Sequence, residues 1–475
     1  MAPRKTKRQK IGQNPPPAPV FAPPTTRPDG AELLKGAGSI QAVIFLVAFA
    51  IIFSRRPDAI LNAQFYAEDG KYWYPDAYQF GLHSFLMPVA GYVHTFTRIV
   101  ALFSLLFPFF LAPLVMNLSA IVVQILPVNV FLSSRFSQIG LQTRLLGALV
   151  YLALPNSYEI DANITNVQWH LALLACMLLL AQPASSRGWR LFDGTVLLLT
   201  SFSSAIAILL VPVAAALWWK RRPGSAVSVA LLAPGALLQV LVALLSHSRQ
   251  LAPNGATFAR LISILGRQLF LSTLLGLRTQ FLFAPAENGL APGGTGVFLV
   301  EIIAATTGLA LVLYTLRHAP TELRLFILFA FGVLALGLAR PLAGSADRPQ
   351  WEWLLIPRDG QRYFFLPMLA SLASLFWIVG NPAAPQKLRY VVAGLLMLLP
   401  IGIYQDWRYP PFEDLHFPQY AAQFELAAPG TKVTIPINPA GRWRSPNISL
   451  ASSDGGNPLR VLSSRIASVP RVGVL

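Results

Sequence analysis

Long apolar runs, broken by short polar segments, set the rhythm of this chain. Residues 42–53, 196–219 and 226–245 contain no charged side chain, and similar runs recur to residue 404. Such runs are characteristic of helices surrounded by lipid, and there are too many of them for a buried soluble core. The pattern predicts an all-α integral membrane protein with spans near 37–54, 114–133, 145–155, 167–182, 192–203, 204–219, 225–246, 297–316, 325–340, 364–379 and 390–404. That makes about 11 transmembrane helices, several shorter than the roughly 20 residues a perpendicular helix needs. Residues 97–111 read either as an interfacial helix lying along the membrane or as half of an extra hairpin, which would make thirteen.

The polar segments divide the chain further. Residues 1–36 form a basic, Pro-rich tail whose composition predicts disorder. A membrane domain covers 37–404, with outer loops at 55–96, 247–296 and 341–363. Residues 405–475 make a small extracytoplasmic segment. Alternation over 432–437 predicts one strand there, and the end beyond residue 452 has a disordered composition. No internal repeat is present.

Composition agrees with this division. Hydrophobic residues make up 54% and charged residues 12%, whereas soluble domains carry about a quarter charged. The net charge of +17 suggests nucleic acid until its placement is considered. The tail and the segments near 134–144, 183–193, 220–224, 317–324 and 380–389 hold 18 of the 37 Lys and Arg but only four of the 20 acids. Positive charge concentrated on one set of loops marks the cytoplasmic side, so the reading is a cytoplasmic N-terminus, an extracytoplasmic C-terminus and no nucleic-acid partner. The leader before residue 40 is too long for a signal peptide, and no clear small-residue cleavage site follows, so the first span is uncleaved. Cys176 is the single cysteine and sits in an apolar run, which points to packing. The six His are scattered without zinc-site spacing.

Candidate chemistry gathers in the outer loops. Glu68 and Asp69 are adjacent carboxylates before Gly70, among Phe65, Tyr66, Tyr72, Trp73 and Tyr74. A carboxylate at the interface can serve as general base toward a hydroxyl or hold a divalent cation. The alternative is an acidic turn within an aromatic belt. Arg98, near a membrane boundary, suits a lipid-carrier phosphate or simple snorkelling. Lone His83 and His94 suit structural roles. In the next outer loop, Asn163, Asn166 and His170 share helical spacing, with Asn166 also suited to capping a helix. Asn163-Ile164-Thr165 matches a glycosylation sequon, and Glu159 and Asp161 form a second carboxylate pair. Arg358 and Arg362 stand near the start of a late span, where two guanidinium groups can hold a phosphate or anchor the interface. Glu301, inside a span, is a functional candidate by position.

Taken together, these residues resemble the GT-C superfamily of polytopic membrane glycosyltransferases, in a bacterial, polyprenyl-phosphate-sugar-dependent form. The likeness rests on Ala67-Glu68-Asp69-Gly70, then Pro88-Val89-Ala90-Gly91-Tyr92 and Arg98. It extends to the stretch from Asn163 to Trp169 and to Gln361-Arg362-Tyr363-Phe364. The resemblance implies an inverting transferase in the cell inner (plasma) membrane. Asp69 or Glu68 would be the catalytic base, and the donor a sugar on polyprenyl phosphate. Arg362, with Arg358 or Arg98, would neutralise the leaving phosphate. Tyr92, His94, Glu159, Asn163, Asn166 and Trp169 complete the expected substrate site. A divalent cation such as Mg or Mn is a possible cofactor, and the acceptor would be an envelope glycan, lipid or protein. No Gly-rich phosphate loop is present, in keeping with a donor that is not a nucleotide sugar. Two other classes stay open: a transporter or flippase, and a non-catalytic membrane subunit of an envelope-synthesis complex.

Overall fold

The computed structural model describes residues 30–246, 253–283, 295–344, 347–439 and 447–451. The expectations for the tail before residue 30, for residues 247–252 and 284–294 of the middle loop and for the end beyond residue 452 lie outside these residues. The chain forms two compact units, Met1–Val43 and Ile44–Leu475. The described part of the first is the start of the helix Gly30–Arg55, which begins seven residues before the expected span. All else concerns the second unit.

Helices dominate, as the apolar runs require. Among the described residues, eight helices are long and apolar enough to cross a membrane, and the chain is a multi-pass membrane protein. Seven coincide with expected spans: Gly38–Arg55, Phe109–Leu132, Ser225–Leu245, Thr295–His318, Thr321–Ala339, Arg362–Gly380 and Gln386–Gln405. The eighth, Phe258–Leu275, falls in what the sequence presents as a loop. The other four expected spans are helices of 12 to 17 residues: Leu141–Leu152, Val167–Leu180, Arg187–Ser203 and Ala207–Trp219. Apolarity serves two ends. Of the Arg362–Gly380 window 67% is buried, against 22% for Ser225–Leu245, so the former is interior and the latter offers its apolar surface to lipid.

Within 97–111, the helix Thr95–Ser104 has ten residues, about half the length a crossing requires. It buries Thr97, Arg98, Val100, Ala101 and Ser104 while Ile99 and Phe103 stay exposed, the pattern of a helix packed on one side. In the C-terminal segment, Lys432–Pro436 pairs antiparallel with Asn447–Ala451, in keeping with the expected strand.

Hydrogen bonds sort the loops into two faces without reference to net charge. On one, Arg135 Nε donates to Gln182 O at 2.9 Å and Nη1 meets Asp193 at 2.5 Å. Arg144 reaches Leu132 O and Ser133 O, Arg222 reaches Leu180 O and Ala181 O, and Lys220 reaches Thr321. These join the segments around 133–144, 181–193, 220–224 and 319–324. On the other face, residues 55–98, 153–166, 341–362 and 405–438 are joined, and it carries Asp69.

Candidate functional site

Tight constraints shape the acidic motif. Ala67 adopts a positive φ of 48°, its N–H donates to Asn438 O at 2.6 Å, and the Asn438 N–H donates to Phe65 O at 3.0 Å. The C-terminal segment therefore lies directly on the motif. At Gly70 a Cβ would stand 2.6 Å from Ile437 Cγ2 and 2.9 Å from Phe65 Cβ, so this approach requires glycine. The backbone then enters a π-helical turn, Asp69–Trp73, a rare geometry recurrent at functional positions.

That turn leaves Asp69 1% exposed. Its Oδ1 accepts a hydrogen bond from Thr165 Oγ1 at 2.5 Å, bringing the 153–166 loop to the motif. Burial pushes the Asp69 carboxyl up to about 8, and the neighbouring Glu68 charge adds to the rise, while the Thr165 hydrogen bond opposes it. Glu68 is half-buried; burial raises its pKa too, against the pull of Arg362. Burial thus raises the proton affinity of two adjacent carboxyl groups, with the Arg362 charge opposing the rise at Glu68.

Arg362 opens the helix Arg362–Gly380. Its Nη1 meets Glu159 Oε1, Nη2 donates to Leu342 O, and its backbone N–H donates to Glu159 Oε2 at 3.0 Å. Glu159 both pairs with the side chain and caps one of the orphan N–H groups of the helix start. Beneath lies Asn156, at a φ of 55°. Its N–H donates to Asp406 Oδ2 at 2.8 Å and its Nδ2 to Gln268 O at 3.2 Å. Its Oδ1 accepts from Gln280 at 3.0 Å and from Gln361 at 2.5 Å. Gln361 Oε1 in turn accepts the Glu159 N–H at 3.0 Å. Asn156 and Asp406 had no expected role, and Thr165 and Gln361 were only parts of motifs. Their partners lie 96 to 250 residues away, beyond any spacing rule.

The structure therefore brings together Glu68, Asp69, Glu159 and Arg362, with Tyr92 near enough to Arg362 and Glu68 for their charges to act on its hydroxyl. Burial raises the Tyr92 pKa. Gln168 Nε2 lies 3.4 Å from that hydroxyl.

Other expected site residues are committed elsewhere. Arg98 is buried, with Nη1 2.6 Å from Asp76, Nη2 2.8 Å from Met87 O and its guanidinium over Trp73, so it braces the first loop instead of facing a ligand. His94 packs between Trp73 and Tyr92, ring centroids 4.5 and 4.2 Å away, and burial lowers its pKa to about 3, keeping it neutral. Asn163 Nδ2 donates to Glu159 O and Asp161 O, and Asn166 Nδ2 to Glu159 O, so both hold the loop backbone. Asn163 is 1% exposed and Thr165 is bound to Asp69, which closes the sequon. Trp169 is buried edge-on to Tyr363, a packing role. Arg358 lies over the Tyr158 ring at 5.6 Å, while Glu159 and not Arg358 faces Arg362. The Glu159–Asp161 pair is split, because Asp161 turns to Arg55, Ser157 and Gln124. Glu301 is held by Arg267 and Ser263.

Mg and Mn are commonly held by one or two carboxylates together with waters and substrate phosphates. No group of three His, Cys, Asp or Glu that could hold a metal ion gathers among the described residues. Of the carboxylates in the cluster, Glu159 is paired with Arg362 and Asp69 is bound by Thr165. No protein-family model matches the chain, and no curated protein matches it.

Proposed function

We propose that the protein is a membrane glycosyltransferase moving a sugar from a polyprenyl-phosphate donor to an acceptor hydroxyl on an envelope glycan, lipid or protein, at the outer side of the inner membrane. One observation carries this reading. The first acidic motif, the Asn163–Trp169 stretch and the Gln361–Phe364 stretch are far apart in sequence. They meet through the Asp69–Thr165 hydrogen bond and the Glu159–Arg362 pair, with Arg362 near enough to Glu68 for its charge to act on that carboxyl.

The chemistry follows from that arrangement. Asp69 takes the proton from the acceptor hydroxyl as the oxygen attacks the sugar's anomeric carbon. The bond from that carbon to the phosphate oxygen breaks, its electron pair leaves with the lipid phosphate, and the carbon inverts. A base with a pKa near the working pH is well matched to this role. Thr165 fixes the carboxyl orientation. Arg362, oriented by Glu159 and Leu342 O, meets the charge growing on the leaving phosphate. The half-buried Tyr92 ring offers an apolar face to the sugar.

In this reading the N-terminus is cytoplasmic, the Arg135 face is the cytoplasmic face and the Asp69 face is outer. The chain crosses eleven times, through the seven long helices that match expected spans and the four shorter ones. The test replaces Asp69 by Asn and Glu68 by Gln, confirms equal membrane levels, and follows transfer from labelled polyprenyl-phosphate sugars in native membranes. Loss with Asp69→Asn supports the reading; full activity in both variants refutes it.

A further inference from the structure

The helix Phe258–Leu275 satisfies the length and hydropathy expected of a crossing, with a mean hydropathy of 1.3 and 61% of it buried. Its two ends are nevertheless tied to one face. At its start, Gln350 N–H donates to Pro253 O at 2.9 Å and Trp351 N–H to Asn254 O at 3.0 Å. Asn254 Nδ2 donates to Ala339 O, the last residue of Thr321–Ala339, and Arg260 pairs with Glu352. At its finish, Leu277 N–H donates to Asp406 Oδ2 at 2.6 Å, just after the helix Leu399–Gln405.

Hydrogen bonds link these two ends through the site itself. Gln350 Oε1 accepts from Ala343 N–H, the neighbouring Leu342 O accepts from Arg362, Gln361 donates to Asn156, and Asn156 N–H donates to the same Asp406 carboxylate as Leu277. A helix crossing the bilayer would deliver Leu277 to the face of Arg135 and Arg222. Asp406, Asn156 and Gln361 instead hold it at the face of Asp69.

We infer that Phe258–Leu275 is a re-entrant segment: it enters the apolar layer from the Asp69 face, returns to that face, and serves as a wall supporting Asn156. Its interior suits that role better than a crossing. Ile264–Leu271 is π-helical, a geometry that breaks regular helix progress. Gly266 packs so closely on the Glu301 backbone that a Cβ there would overlap it, and Arg267 and Ser263 meet the Glu301 carboxylate. The charged pair is thereby screened from lipid by protein, the setting in which irregular backbone and ions persist at membrane depth. The Gln268 carbonyl, part of this π-helical stretch, accepts from Asn156 Nδ2. The inference does not depend on the transferase reading, since it concerns only which face each end reaches.

The single cysteine makes the test direct. Cys176 is fully buried, and Cys176→Ala gives a background with no thiol. Into it go, one at a time, Ala256→Cys and Arg278→Cys at the two ends, Arg408→Cys on the Asp69 face, and Ser185→Cys on the Arg135 face, all at exposed positions. Intact cells and inverted vesicles are then treated with a membrane-impermeant maleimide. The expected result is that Ala256→Cys and Arg278→Cys label from the same side as Arg408→Cys, at least tenfold faster than from the other side, and opposite to Ser185→Cys. Labelling of Arg278→Cys from the Ser185 side overturns the inference. Labelling from neither side also overturns it, by leaving that end inside the apolar layer. If all three Asp69-face positions label from the cytoplasm, the re-entrant segment stands and the proposed orientation falls. Loss of transfer activity plays no part in the readout.

Discussion

The two loop faces use their polar groups in different proportions. On the Arg135 face, cations close helix ends: Arg144 on Leu132 O and Ser133 O, Arg222 on Leu180 O and Ala181 O, Arg324 on Ala319 O and Arg317 O. Most of these are the orphan carbonyls of helix C-termini, where positive charge is favoured. On the Asp69 face, polar groups bond to partners 96 to 250 residues away, and two carboxyl groups are held with raised affinity for protons. An excess of arginine therefore does not mark a ligand site by itself. What distinguishes the Asp69 face is that ionisable groups are buried together at a desolvation cost that helix closure does not require.

Asp69→Asn breaks the comparison most severely. If Asp69 is the base, transfer falls about 10²- to 10⁴-fold at unchanged membrane levels, measured as initial rates in native membranes. Arg362→Lys keeps the charge but loses the forked contact with Glu159 and Leu342 O, and is expected to lower the rate about a hundredfold. Acidity gives a third handle. The Asp69 pKa is raised from an ordinary 3.8 to about 8 in the fold, so the proton is held more tightly folded than unfolded. The resulting stabilisation is complete below about pH 4 and is lost as pH rises towards 8. Thermal midpoints should fall across that window, less steeply in Asp69→Asn, while wild-type activity climbs through it as the base ionises. A wild-type rate that declines from pH 6 to 8 would contradict this.

Smaller effects sharpen the contrast between the faces. Arg98→Lys loses its contact to Met87 O and should lower the thermal midpoint with the KM for donor unchanged, since Arg98 braces the loop. On the other face, Arg144→Ala frees the carbonyls of Leu132 and Ser133, costing about 1–3 kcal/mol of stability. Denaturation in detergent reads that loss, and activity should stay within about twofold.

Apolar periodicity made the long helices legible, because lipid imposes a length and a composition that a sequence displays openly. For the segments around 133–144, 181–193, 220–224 and 319–324, charge asymmetry gives the same grouping as the hydrogen bonds. Phe258–Leu275 escaped notice because Arg260, Arg267 and Gln268 interrupt its apolar pattern, and their partners Glu352 and Glu301 are supplied by distant segments. Glu68, Asp69 and Arg362 stood out as charges next to spans. Arg98 looked equivalent until Asp76, 22 residues earlier, proved to be its partner. Thr165, Asn156 and Asp406 are ordinary polar residues in sequence, and their roles exist only once the loops and the C-terminal segment have folded together. Gly70 is similar: it permits the approach of Ile437, which no local pattern announces.

The most direct measurement works whichever sugar is transferred. In a strain lacking this protein, wild type, Arg144→Ala and Asp69→Asn are expressed at equal membrane levels, and the envelope glycans and glycolipids are compared by mass spectrometry. Wild type and Arg144→Ala should restore the same added hexose or pentose, and Asp69→Asn should leave it missing. Restoration of that sugar by Asp69→Asn would contradict the placement of the catalytic base and the functional distinction between the two faces.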